Sequence, residues 1–195
     1  MIIGKIVKSN SHVDYAGRIY DRLETPAPPK PADYCFGQFV KIKAYDQEVV
    51  GAIYNSQLIN PEYGNFGPRL STPPELNAVF SPDYMNEQGV LIGILLLGWK
   101  EGDQNIHRIP RYVLPVDAEI ETMTDDEVLD FHTDSNGKLQ LHYFSHVMTH
   151  AGQFATQLLL VIVEQLGRLT SPENRATLGV LQNALVWQNT MEQMR

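Results

Sequence analysis

The chain has 195 residues, 43% of them hydrophobic, with one cysteine and a formal net charge of -8. That size and apolar content suffice for a buried core and exclude a disordered chain. A single Cys35 cannot close an intramolecular disulfide, no basic and apolar leader precedes Ile2, and the longest apolar run, Leu158 to Val163, is far short of the roughly 18 residues of a membrane span. The expectation is a cytoplasmic protein with no membrane span.

The negative charge is local. Residues 113–134 carry eight acidic and no basic side chains, and the rest of the chain is near neutral. The acidic segment repels phosphate and no basic stripe appears elsewhere, so no direct nucleic-acid binding is expected.

In chain order, IIGKIVKSN and HVDYAGRIYD read as two strands joined at Ser9 to Ser11. The four prolines of Thr25 to Pro31 favour polyproline II, as a stiff connector or a ligand for an aromatic groove. A third and fourth strand follow around a turn at Tyr45 to Gln47. Val40 and Ile42 alternate with Lys41 and Lys43, the pattern of a strand with one wet face, whereas Val49 to Ile53 leave little room for one. Cys35 reads as a small core residue.

The fourth strand hands over to a long loop rich in Asn, Pro and Gly. Its Asn60, Pro61, Tyr63, Asn65, Phe66 and Arg69 are candidate partner-binding residues, with Arg69 suited to a bidentate contact. The same loop could instead cross a barrel end and pack on itself. Ser81 to Gln88 carries the signals of a short helix: Ser81 at the cap, Pro82 next, Asp83 in the first turn.

Val90 to Trp99 is a fifth strand without alternation, which implies that both its faces are covered. Its Gly93 and Gly98 fail the phosphate-loop pattern, since Trp99 stands where lysine is required and no hydroxyl follows Lys100; a bend or barrel closure explains them better. After a polar turn at Glu101 to Asn105, Arg111 to Glu121 reads as a sixth strand. Thr124 and Glu127 form a capping box for a short helix, with Asp125 and Asp126 complementing its dipole. His142 to Leu169 and Ser171 to Met194 then read as two long helices. On the second, Leu178, Leu181 and Leu185 mark a face that Val180, Ala184, Trp187 and Met191 widen.

Two constellations invite chemistry. His142, His146 and His150 would align on one side of a helix and could bind a metal, although no Glu accompanies them as in a metalloprotease helix; a helix start packed through Tyr143, Phe144, Val147 and Met148 is the better reading. The acidic run lacks the spacing of a calcium loop. No organised nucleophile appears, so no catalytic residue and no cofactor are assigned.

The segments IIGKIVKSN, ADYCFGQFVKI and EVVGAIYN with its INPEYGNFGPRL loop together resemble the HAS-barrel, the six-stranded barrel that precedes the motor domain in HerA DNA-translocating ATPases and rotary ATP synthase subunits. The carrying motifs are a Gly-Lys-Ile/Val first strand, a Gly-x-Phe/Tyr-Val third and a Val-Gly-x-Ile/Val fourth, and the likeness is closest to stand-alone forms of no established activity. It covers roughly residues 2–121. The resemblance implies a small six-stranded antiparallel barrel over residues 1–121, with an insertion at 56–88; with the helical region read from the residues at 122–195, which the resemblance does not explain, the expected fold class is α+β. The resemblance further implies a collar-like assembly role rather than catalysis, with a second copy or a motor ATPase as partner. The chain carries no P-loop of its own, and a metal-dependent enzyme built on the histidines is the remaining alternative.

Overall fold

The computed structural model describes residues 1–59 and 89–193. The candidate loop residues Asn60, Pro61, Tyr63, Asn65, Phe66 and Arg69 and the expected helix Ser81 to Gln88 lie outside the described residues.

Seven strands form one antiparallel sheet: β1 (Ile2–Ser9), β2 (Asp14–Ile19), β3 (Phe39–Ala44), β4 (Gln47–Ile59), β5 (Gly89–Glu101), β6 (Gln104–Ile106) and β7 (Glu119–Thr122). The order is β2-β1-β7-β3-β4-β5-β6, and β2 returns to β5. Six strands therefore close into a barrel, with β6 extending the edge of β5 beyond β2. Four α-helices follow: α1 (Asp125–Phe131), α2 (Phe144–His150), α3 (Ala155–Leu169) and α4 (Pro172–Gln193). The fold is α+β, as expected from the sequence.

The barrel is filled by its own side chains. Ile3, Ile6, Tyr15, Ile42, Ile53, Ile92, Ile94, Leu96 and Ile120 are buried in one aliphatic cluster. A second cluster joins the outside of the barrel to the helices: Phe39, Val50, Ala52, Leu95 and Leu97 pack with Val128, Phe131, Leu158, Ile162 and Leu166. The absence of alternation in the fifth strand now has its cause. Ile92, Ile94 and Leu96 point inward while Leu95 and Leu97 meet the helices. Between Val50↔Gly98 and Gly51↔Leu96 the register slips at Leu97, a bulge that returns Trp99 to the barrel interior.

The third strand shows the same division. Val40 and Ile42 are interior; on the outer face Phe39 is covered by helices, Lys41 bonds to the α1 side chain Glu127 and lies 3.7 Å from Glu121, and Lys43 is exposed. The acidic segment is thus partly neutralised by the barrel, with Lys100 and Asp130 adding a pair at 2.6 Å. Lys41 is held protonated more firmly than usual, because hydrogen bonding and attraction to these carboxylates outweigh its desolvation. Gly98 is required by close approach: a Cβ there would sit 2.1 Å from the Ile106 carbonyl oxygen of β6.

Four expectations need correction. Of the sixth strand, only Glu119 to Thr122 pairs, because Pro110 and Pro115 withhold backbone donors and Asp117 turns through a positive φ of 66°. The polar turn at Glu101 to Asn105 instead contains the start of β6, reversed through Gly102 and Asp103. The single helix expected over His142 to Leu169 is broken after α2, where Gly152 adopts φ 56° and a short 3-10 turn, Gly152–Phe154, intervenes. Cys35 is exposed rather than in the core. The capping box at Thr124 is as read: Thr124 Oγ1 accepts from the Glu127 amide at 3.3 Å, and Glu127 Oε2 accepts from the Thr124 amide at 2.8 Å.

Candidate functional site

The antiparallel closure sorts the connections into two ends. At one end lie the finish of β1, β3 and β5 and the start of β2, β4 and β7; at the other lie residues 20–38 and the ends of β4 and β5 that border the undescribed segment. The first end is plugged. Residues 107–118 cross it, with Leu114 and Ala118 buried in the barrel cluster beside Ala44, Val49 and Trp99. The buried Tyr15 hydroxyl accepts from the Leu114 amide at 3.1 Å, His12 Nε2–H donates to the Pro110 carbonyl at 2.7 Å, and the Asp117 amide donates to Ile6 O at 2.9 Å.

The outer side of this plug exposes several apolar side chains, interspersed with Arg108, Arg111 and Asp117. Ile109, Tyr112, Val113 and Val116 stand 48 to 66% accessible, and Tyr45, at 73%, reaches over from the β3–β4 turn with its ring 6.0 Å from that of Tyr112. Tyr45 is held at φ 57°, a left-handed conformation that costs a side-chain-bearing residue about 1–2 kcal/mol. Exposed apolar side chains in this number, on a segment anchored from beneath, have the character of a docking surface. The opposite end carries two surface grooves, of about 460 and 680 Å³, which share Pro31, Tyr34 and Val90 and border the undescribed segment.

The helices carry a buried polar network absent from the sequence reading. His132 Nδ1–H donates to the Val128 carbonyl at 2.6 Å, which fixes the tautomer and leaves Nε2 to accept from the Tyr143 hydroxyl at 2.6 Å. His107, at the end of β6, donates from Nε2 to the Phe131 carbonyl at 2.9 Å, and its ring lies 5.1 Å from that of Tyr143. Among the described residues its Nδ1 is buried without a hydrogen-bond partner. Burial pushes His107 down to about 4 and His132 down to about 3, so both rings are neutral at ordinary pH. Burial likewise holds the Tyr143 hydroxyl protonated. The network ties β6, α1 and the start of α2 together. The only sequence signal for it was a pair of lone histidines in apolar settings, Ile106-His107 and Phe131-His132.

The three histidines that the alternative metal reading needs together, His142, His146 and His150, do not converge. His142 precedes α2 and stacks edge-on to His107 at 5.9 Å, whereas His146 and His150 face each other at 4.6 Å. His146 is engaged by the barrel, where its Nε2–H donates to the Leu96 carbonyl at 3.0 Å in the gap on the β5 edge between β2 and β6. Burial lowers its affinity for a proton, helped by the nearby His150. Among the described residues no three His, Cys, Asp or Glu side chains are grouped to hold a metal ion. No helix among them is long and apolar enough to cross a membrane.

A search of the curated proteins finds no match for this chain. One family model matches over residues 1–195, its full length, and the chain belongs to that family, described as a domain of unknown function (DUF8166).

Proposed function

We propose that this chain is a non-enzymatic assembly or adaptor protein whose HAS-like barrel docks onto a protein surface through its plugged end. The observation that carries the reading is the exposed apolar strip of Tyr45, Ile109, Tyr112, Val113 and Val116, backed by Leu114 and Ala118 in the core. Such a strip is unfavourable in water unless something covers it part of the time. The sequence resemblance supports the same role, because HAS-barrels hold neighbouring subunits together.

The test is site-specific photocrosslinking in cell extract, with the photoreactive residue at Tyr112 and, as a control, at exposed Lys8. A defined adduct from position 112 and none from position 8 supports the reading; equal or absent labelling at both overturns it. An ATPase in that adduct would make the chain an accessory subunit of a nucleic-acid-processing motor, the second reading that the resemblance allows.

A further inference from the structure

A different surface, on α4, carries an inference of its own. Helix α4 has 22 residues and buries Leu178 and Leu185 in the core cluster that contains α3, with Leu181 partly buried beside them. At 100° per residue, the direction opposite those leucines is occupied by positions 176, 179, 180, 183, 186, 187 and 190, in steps of three and four. These are Ala176, Gly179, Val180, Asn183, Val186, Trp187 and Thr190. Val180 is 72% accessible and Trp187 68%. Between Arg175 and Glu192 the sequence contains no charged residue. An outward-facing helix normally carries charge on its wet side, so four turns without any mark a face that is covered in the assembled protein.

We propose that this face pairs with the same face of a second copy, as an antiparallel helix pair about a two-fold axis at Asn183. The register follows from self-complementarity. A two-fold at 183 sets each position against its mirror: Trp187 opposite Gly179, Val180 opposite Val186, Ala176 opposite Thr190, and Asn183 opposite itself. The largest side chain then meets the smallest. Among the described residues nothing lies within 4 Å of where a Gly179 Cβ would be, so no contact within the chain demands a glycine, yet glycine in a helix interior costs about 1 kcal/mol relative to alanine. A facing indole supplies the reason. Asn183 meeting Asn183 allows two reciprocal amide hydrogen bonds at the axis, a device that fixes register in paired helices.

Charge selects the same occupant. Two chains of net charge -8 repel each other over most of their surfaces, and the uncharged run of α4 is where they approach without a like-charge penalty. The antiparallel arrangement also sets each helix dipole against the other's opposite end. A face of this length buries roughly 900 Å² over both copies, at the low end for a specific interface, so a dissociation constant in the micromolar range is expected.

The experiment is sedimentation velocity over about 1 to 200 µM, with circular dichroism to check the fold. The wild-type chain is expected to shift from monomer to dimer across that range, Trp187→Glu to remain monomeric with an unchanged spectrum, and Lys8→Glu, on the exposed end of β1, to dimerise as wild type does. In a Cys35→Ser background, mixed Gly179→Cys and Trp187→Cys variants should form the heterodisulfide, and Gly179→Cys alone should not form a disulfide. A monomeric wild type at the highest concentration, or a dimer unaffected by Trp187→Glu, overturns the pairing. A Gly179→Cys self-disulfide overturns the antiparallel register. Failure of the plugged-end reading appears instead in the Tyr112 crosslinking, so the two can fall separately.

Discussion

Acidification should unfold this protein through its buried histidines before its carboxylates matter. His107 and His132 bind protons only near pH 4 and 3 when folded, against about 6.5 when unfolded. A group with a lowered folded pKa contributes its full stability above the unfolded value, and that contribution declines as pH falls, because the unfolded chain takes up protons that the folded chain refuses. The decline runs at about 1.4 kcal/mol per pH unit per ring, from 6.5 down to the folded value, and then levels. At pH 5 each ring has therefore cost about 2 kcal/mol, and the pair about 4, against the 5–15 kcal/mol typical of a whole domain. The diagnostic variant is His107→Gln, whose amide can still donate to the Phe131 carbonyl but does not titrate. Urea unfolding followed by circular dichroism at pH 7.5, 6 and 5, at fixed protein concentration, should show the wild type losing about 2 kcal/mol more than the variant across that range. His146 titrates in both proteins and cancels. Glu127 and Asp134, both held below the usual carboxylate range by hydrogen bonds despite their desolvation, lose their contributions only at lower pH. Parallel profiles for wild type and variant would refute the assignment of His107 as a buried neutral ring.

Three further outcomes are expected. Tyr143→Phe removes the donor to His132 Nε2 in a fully buried site and should destabilise by about 1–3 kcal/mol in the same urea assay at pH 7.5, an effect that His132→Phe in the same chain should largely abolish. Gly98→Ala drives a methyl group into the Ile106 carbonyl and should cost about 1–3 kcal/mol, with faster amide exchange across β5 and β6. Thr124→Ala removes one half of the capping box and should cost about 0.5–2 kcal/mol, read as a lower urea midpoint.

Local features were legible in the sequence. The alternation around Lys41 and Lys43, the unbroken apolar run of the fifth strand and the Thr124 capping box each depend on near neighbours, and each appears as read. The breaks were harder. Gly152 interrupts an apolar pattern that otherwise runs from Tyr143 to Leu169, and a single glycine costs a helix only about 1 kcal/mol, too little to predict a break from sequence. Arg111 to Ala118 have the composition of a strand, but Leu114 is drawn into the barrel end, and Pro115, with Pro110 just before the segment, cannot extend a ladder. The His107, His132 and Tyr143 network joins β6, α1 and the entry to α2 only after the helices have docked, so no spacing announces it. The docking strip was hidden for a related reason: alternation suggested which residues face inward, but not that the outward ones would stay uncovered.

The pairing of β1 with β7 bears on how this chain is made. Ile2 pairs with Glu121, and Lys5 with Glu119, so during synthesis β1 finds one of its two neighbours only once residues 119–122 have been made. At synthesis rates of about 5–20 residues per second that interval is roughly 6 to 24 s, during which the edge of β1 that faces β7 stays unpaired. The α3 and α4 helices that cover the outer apolar face emerge later still. A barrel closed by its ends is therefore at greatest risk of aggregation during its own synthesis, and variants that weaken the β1–β2 hairpin should lower the yield of folded protein more than they lower the stability of what does fold.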